Sequence, residues 1–148
     1  MKTYTIAKQI IQPLILLIVL MRFNNCWSAV AVVTHPSTPI ATLTRDQATN
    51  IFLGKSSNFP EGTKAIAVDQ TEGEVSRTVF YKKVVKKDAS QLNAYWARLI
   101  FTGKGQPPKT VLDDDEVLEF ISTTPNSLGY ISQDAVDDNV KVLFIVDD

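Results

Sequence analysis

The segment from Gln70 to Arg77 combines an amide, two hydroxyls, a glycine and a guanidinium just before an amphipathic stretch. An apolar strand is expected to end at this loop and a helix to begin in it, so that free backbone N–H groups would face the same place. Hydroxyl, amide and guanidinium donors beside such N–H groups suit a bound anion. The candidate ligand-binding residues are therefore Gln70, Thr71, Gly73, Ser76 and Arg77.

Glu72 and Glu74 lie in the same loop and allow a second interpretation. Their carboxylates can satisfy the helix-start N–H groups as ordinary caps. A carboxylate there would also repel an incoming anion. The pattern alone leaves both interpretations, an anion site and a plain helix cap, open.

Catalytic chemistry finds no support in the sequence. The single histidine, His35, precedes Pro36 at a strand end, which is typical of a surface turn. No serine is framed by glycines as in a nucleophile elbow, and no acid–base pair is suggested by spacing. The sequence therefore predicts a protein that is not an enzyme and that carries no metal and no other cofactor.

Two charged runs are interpreted as solvated helix surface. Residues 113–116 read Asp-Asp-Asp-Glu, and consecutive acids fan around a helix axis instead of converging on a cation. Within residues 82–87, lysines occupy positions 82, 83, 86 and 87. Each has another lysine four residues away, so like charges are neighbours on a helix face that is expected to be exposed. Neither run is predicted to form a site.

Alternating strand and helix signals predict an α/β fold, a small sheet covered by helices. Strands are expected at 30–33, 65–68, 128–131 and 140–146, and helices beginning near residues 44, 72, 88 and 113. Thr44 with Gln47 and Asp88 with Gln91 have the spacing of capping boxes. Val75, Val79, Phe80 and Val84 are expected on the inward face of the second helix. Leu92, Tyr95, Trp96, Leu99 and Ile100 form the clearest apolar helix face.

The N-terminus has the layout of a secretory signal peptide. Lys2 and Lys8 precede an apolar run over 10–21, and small residues follow at Ala29 and Ala31. We expect cleavage after Ala31, leaving a domain over 32–148. The alternatives are cleavage after Ala29, a retained membrane anchor, or lipid attachment at a cysteine.

Export would change the charge and chemistry of the mature chain. The leader removes three of the 15 basic residues, so 12 would remain against 16 acidic ones. This mild negative balance gives no general attraction for nucleic acid. The leader also contains the single cysteine, Cys26, so a mature domain could form no disulfide and would depend on its apolar core. The expected location is the periplasm.

Several spaced motifs resemble those of bacterial periplasmic phosphate-binding proteins, the substrate-binding components of phosphate ABC transporters. The residues that carry the resemblance are Leu43-Thr44, Ile51-Phe52-Leu53-Gly54-Lys55, Phe80, Phe101–Pro108 and Thr124–Ser132. The similarity covers about Val32 to Leu143 and fits only the second lobe of such a two-lobed protein. It implies the fold of one lobe of a class II periplasmic binding protein and a role in solute uptake.

The resemblance also implies a ligand and partners. It places the phosphate loop at Gln70–Ser76, but Gln70 stands at the family's arginine position and Glu74 at its serine position. The expected function is therefore a periplasmic solute-binding-like domain for an oxyanion such as phosphate. The alternative is a degenerate binding lobe that acts as a protein-interaction module in the cell envelope. Expected partners are a membrane transporter or envelope protein, and a homodimer would restore a two-sided cleft.

Overall fold

The computed structural model describes residues 29–147, and five strands form its central sheet. They are β1 (Val30–Thr34), β2 (Ile66–Gln70), β3 (Lys109–Val111), β4 (Ser127–Ser132) and β5 (Lys141–Val146). Their order across the sheet is β3-β2-β4-β1-β5. Strand β2 runs parallel to β3 and β4, whereas β1 runs antiparallel to β4 and β5. The predicted α/β class is confirmed.

In the described part of the chain, four α-helices pack around the sheet. They are α1 (Arg45–Phe52), α2 (Val75–Phe80), α3 (Ala89–Phe101) and α4 (Asp114–Thr123). A π-helical turn, Tyr81–Val85, continues α2. Lys86 ends this turn in the left-handed conformation, with φ of 59°, which is uncommon for a residue with a side chain.

Local signals correctly placed two helix starts. The capping boxes of Thr44 with Gln47 and of Asp88 with Gln91 are both formed, with each side chain accepting the other residue's backbone N–H. Gly54 follows α1 with φ of 67°, as expected of a glycine after a helix end. These short-range hydrogen bonds depend on residues only three positions apart, which is why the sequence reveals them.

The core lies on both faces of the sheet. Val30 and Val32 of β1 join the cluster under α1, α2 and α3, while Ala31 and Val33 join the cluster under α4. Because β1 is covered on both faces, it reads as an uninterrupted apolar run. Within the larger cluster, the ring of Tyr130 stacks on Phe80 with centroids 4.3 Å apart.

The structure corrects several sequence expectations. Strand β3 was missed, because a three-residue edge strand carries too little pattern to detect. Helix α2 begins at Val75, not at residue 72, and Val75 is 64% exposed instead of facing the core. Ser76 is buried in its place. Ile100 is exposed, so the apolar face of α3 ends one position early.

The predicted leader lies mostly outside the described residues, and cleavage remains a prediction. Val30 and Ala31 are fully buried in the inner strand β1, where they pair with both β4 and β5. Cleavage after Ala31 would remove both of them from the sheet, whereas cleavage after Ala29 would keep them. Within residues 29–147, no helix is long and apolar enough to cross a membrane.

Candidate functional site

A buried aspartate organises the carboxyl end of β2. Asp69 accepts hydrogen bonds from the hydroxyls of Tyr81, at 3.0 Å, and Tyr130, and from the backbone N–H of Gln70 at 2.8 Å. The guanidinium of Arg77 lies 3.4 Å from the same carboxylate. A buried carboxylate requires such partners, because an uncompensated charge in the interior is strongly destabilising.

The two tyrosines are held in their neutral forms. Burial raises the pKa of Tyr81 well above its usual value, and the negative charge of Asp69 raises it further. Burial also raises the pKa of Tyr130, again with a contribution from Asp69. Both hydroxyls therefore remain protonated at neutral pH and donate hydrogen bonds to the carboxylate. The Arg77 guanidinium lies 4.9 Å from the centroid of the Tyr81 ring, which adds a cation–π contact.

A second carboxylate, Asp114, lies at the start of α4 and faces the loop after β2. It accepts from the Gln70 side-chain amide at 2.7 Å, from the Ser76 hydroxyl at 3.2 Å and from the backbone N–H of Ser132 at 3.0 Å. Gln70 also donates to the carbonyl of Tyr130 at 2.9 Å. The expectation that residues 113–116 are all solvated is therefore wrong for Asp114.

A groove of about 630 Å³ opens beside this cluster, between α2 with its π-helical turn and the start of α3. Its size is typical of a site for a small organic ligand. The apolar lining residues are Tyr81, Ala89 and Leu92. The polar lining residues are Glu72, Gly73, Arg77, Thr78, Lys82, Lys86, Lys87 and Asp88.

Positive charge predominates along this groove. Within residues 29–147, no carboxylate lies within ion-pair distance of Lys82, Lys86 or Lys87. The carboxylate of Asp88 is engaged in capping α3, where it accepts the N–H of Gln91 at 2.8 Å. Lys82 and Lys86 are exposed, as expected of a solvated face, and together with the half-buried Lys87 they also line the groove. Such a site attracts anions.

The structure separates the five predicted site residues. Arg77 and Gly73 line the groove. Gln70 and Ser76 direct their donors to Asp114, and the Thr71 hydroxyl donates to the carbonyl of Val111 at 3.2 Å. The sequence did not identify Asp69, Asp114, Tyr81 or Tyr130. The one available signal was an aspartate directly after the three apolar residues that begin strand β2. Within the described part of the chain, no cluster of metal-ligating side chains is found.

An apolar edge lies next to the loop. Strands β2 and β3 are parallel, so their carboxyl ends share one edge of the sheet. Val75 follows β2 there, and Leu112, which is 62% exposed, follows β3. Val75 and Leu112 are thus exposed apolar residues that follow neighbouring strands.

Solved phosphate-binding proteins share this fold. A substrate-binding protein of the phosphate ABC transporter class from Clostridium perfringens, solved with bound phosphate, matches 78% of this chain with a TM-score of 0.62 and 23% identity. PstS from Borrelia burgdorferi matches 78% with a TM-score of 0.59 and 18% identity. A phosphate transport receptor from Vibrio cholerae matches 79% with a TM-score of 0.51 and 19% identity.

The match extends over less than half of each neighbour. The chain spans 45% of the Clostridium perfringens protein and 46% of the other two, as a single lobe would. The expected resemblance to one lobe of a periplasmic binding protein is thus confirmed at the level of the fold. No protein-family model matches the sequence, and no curated protein matches it.

Proposed function

We propose that this chain is a binding domain of the solute-binding-protein type, and that an oxyanion such as phosphate binds in the groove beside the loop of residues 70–77. The observation that carries this proposal is the convergence of Lys82, Lys86 and Lys87 with Arg77 on one groove. The solved neighbours share the fold and are phosphate-binding or phosphate-transport proteins by description. Their likeness supports a binding role without fixing the ligand.

The dimensions of the groove bear on the form of the ligand. Its volume of about 630 Å³ exceeds what one phosphate ion needs. The largely buried Tyr81 and Leu92 lie in the groove wall next to the cations. Free phosphate and a phosphate attached to an organic body share the same recognition chemistry, and a comparison of phosphate with phenyl phosphate distinguishes them.

The biological role that we propose is uptake. An exported domain that captures an oxyanion in the periplasm would deliver it to a membrane transporter of the ABC type. Neither a catalytic step nor a cofactor is part of this role. The domain corresponds to one lobe, so the groove would act either alone or against a second chain.

Ligand-dependent melting of the mature protein tests the proposal. A ligand at 100 times its dissociation constant adds about 2.7 kcal/mol to the free energy of unfolding. We expect phosphate or phenyl phosphate to raise the melting temperature, whereas chloride at equal ionic strength does not. Calorimetric titration should then show that Arg77→Ala weakens binding by about 1.5–3 kcal/mol, the value of a hydrogen bond to a charged group.

Arg45→Ala is the matched control, because Arg45 is an exposed arginine of α1 that does not line the groove. It should leave the affinity unchanged. Equal affinities of wild type and Arg77→Ala would remove Arg77 from the site. Absence of any anion-dependent stabilisation or heat would contradict oxyanion binding altogether.

A second function, a protein-interaction module, is favoured by the exposed pair Val75 and Leu112 at the end of the sheet. A homodimer through this edge would place two grooves in one assembly. Sedimentation velocity over a range of concentrations tests it, with Leu112→Asp as the disrupting variant. Association that this variant abolishes, together with no anion response, would favour the module over the solute-binding domain.

A further inference from the structure

The carboxylate of Asp114 occupies a set of three converging donors. The Gln70 side-chain amide lies 2.7 Å from Oδ1, while the Ser132 N–H and the Ser76 hydroxyl lie 3.0 Å and 3.2 Å from Oδ2. These donors come from three separate parts of the chain: the end of β2, the first turn of α2 and the end of β4. None of the three is an exposed surface group.

An amide N–H, a hydroxyl and a backbone N–H aimed at the two oxygens of one acid group form the kind of donor set that proteins use for oxyanions. In this protein the two oxygens belong to the chain itself. Gln70 is only 1% exposed, and its Oε1 has no hydrogen-bond partner among the described residues. This buried amide therefore retains an unused acceptor, which a protonated oxyanion such as hydrogen phosphate could satisfy.

We propose that Asp114 is a specificity-determining residue whose carboxylate acts as a built-in anion and closes this inner donor set to free oxyanions. A tethered carboxylate competes at a high effective concentration, because it needs no association from solution. A free anion is thereby restricted to the groove lined by Arg77 and the lysines. Removing the carboxylate should open a second, inner anion site at Gln70, Ser76 and Ser132.

Chemical rescue tests this role. Asp114→Ala and Asp114→Ser remove the carboxylate and leave space for a small anion. We expect both variants of the mature protein to melt below wild type and to regain stability with added formate or phosphate. Relative to wild type, their apparent affinity for formate should rise by at least about tenfold, the scale of one recovered charged hydrogen bond.

Two second-site changes locate the rescue. Ser76→Ala in the Asp114→Ala background should abolish the added response, because Ser76 belongs to the inner donor set. Lys82→Ala in the same background should preserve it, since Lys82 lines only the groove. Asp113→Ala is the matched control, because Asp113 caps α4 through the N–H of Glu116 at 3.1 Å and does not contact the loop. The Asp113→Ala variant should be less stable than wild type, and added formate or phosphate should not restore its stability.

The proposal is overturned if the folded Asp114 variants respond to formate and phosphate no more than wild type does. It is equally overturned if the added response survives Ser76→Ala, or if Asp113→Ala shows the same rescue. If both Asp114 variants are unfolded in chloride, formate or phosphate must restore their helical circular dichroism, and failure to do so contradicts the inner site. Groove binding can fail in wild type while this rescue succeeds, so the two proposals are tested separately.

Discussion

Replacing Asp69 with asparagine should make the domain less stable and its anion site stronger. The asparagine side chain would keep the shape of aspartate but would lose its charge and one of its two acceptor oxygens. In the native protein those oxygens receive the hydroxyls of Tyr81 and Tyr130 and face the guanidinium of Arg77. Breaking a buried ion pair by removing one partner costs about 3–5 kcal/mol. Because the asparagine amide oxygen can still accept one hydrogen bond, we expect the free energy of unfolding to fall by about 3 kcal/mol, the lower end of this range.

The expected gain in affinity follows from the charge that is removed. An anion on the outer side of the Arg77 guanidinium would lie about 7 Å from the Asp69 carboxylate, and their repulsion at this distance is about 2.4 kcal/mol at an effective dielectric of about 20. In water the same repulsion is about 0.6 kcal/mol. The groove opens to solvent, so a value of about 1 kcal/mol is reasonable, which corresponds to roughly fivefold tighter binding.

Urea unfolding followed by tryptophan fluorescence gives the first quantity, and calorimetric titration with phosphate at low salt gives the second. Asp46→Asn provides the control, because it removes an exposed carboxylate from the first turn of α1, which does not line the groove. It should change stability by no more than about 0.5 kcal/mol and leave affinity unaltered. A folded Asp69→Asn protein with equal or weaker anion binding would refute the idea that the Asp69 carboxylate repels an anion bound at Arg77.

Three further predictions address pH, the core and export. Burial and Asp69 raise the pKa of Tyr81 and Tyr130 in the folded state. Their contribution to stability is therefore complete below about pH 10 and is lost as the pH rises further, at up to about 1.4 kcal/mol per unit for each tyrosine. Urea titrations between about pH 9 and pH 11.5 should show this loss, and Tyr130→Phe should reduce its slope. Trp96 is 7% exposed. Its replacement by alanine should lower the free energy of unfolding by about 3–5 kcal/mol, and a decrease below about 1 kcal/mol would contradict its burial. Intact mass of the chain recovered from a periplasmic fraction should place the mature N-terminus at Val30 or Val32, and an uncleaved chain in the inner membrane would contradict export.

The parts of the fold that the sequence predicted depend on neighbouring residues. The capping boxes at Thr44 and Asp88 and the stripe containing Trp96 involve spacings of three and four positions. The short strand β3 was not predicted, because its three residues, Lys-Thr-Val, are too few to show an alternation of apolar and polar side chains. Its place in the sheet depends on parallel pairing with β2, some 40 residues earlier in the chain.

The candidate site was predicted less completely because its contacts are long-range. The hydrogen bond between Asp69 and Tyr130 joins residues 61 positions apart, and the one between Gln70 and Asp114 joins residues 44 positions apart. Donors such as Gln70 and Ser76 were identified by type, but their actual acceptor could not be seen in a linear pattern. Arg77 was identified as a guanidinium beside the loop, whereas its pairing with Asp69 required the structure.

Chemical-shift mapping by nuclear magnetic resonance tests the location of the anion site most directly. Phosphate would be titrated into the ¹⁵N-labelled mature protein, with chloride at matched ionic strength as the reference. The account predicts saturable shifts at the backbone amides of Gly73, Lys82, Lys86 and Ala89, which line the groove, and none at Ser76 or Ser132. Saturable shifts at Ser76 and Ser132 without changes in the groove, or no shifts at all, would contradict it.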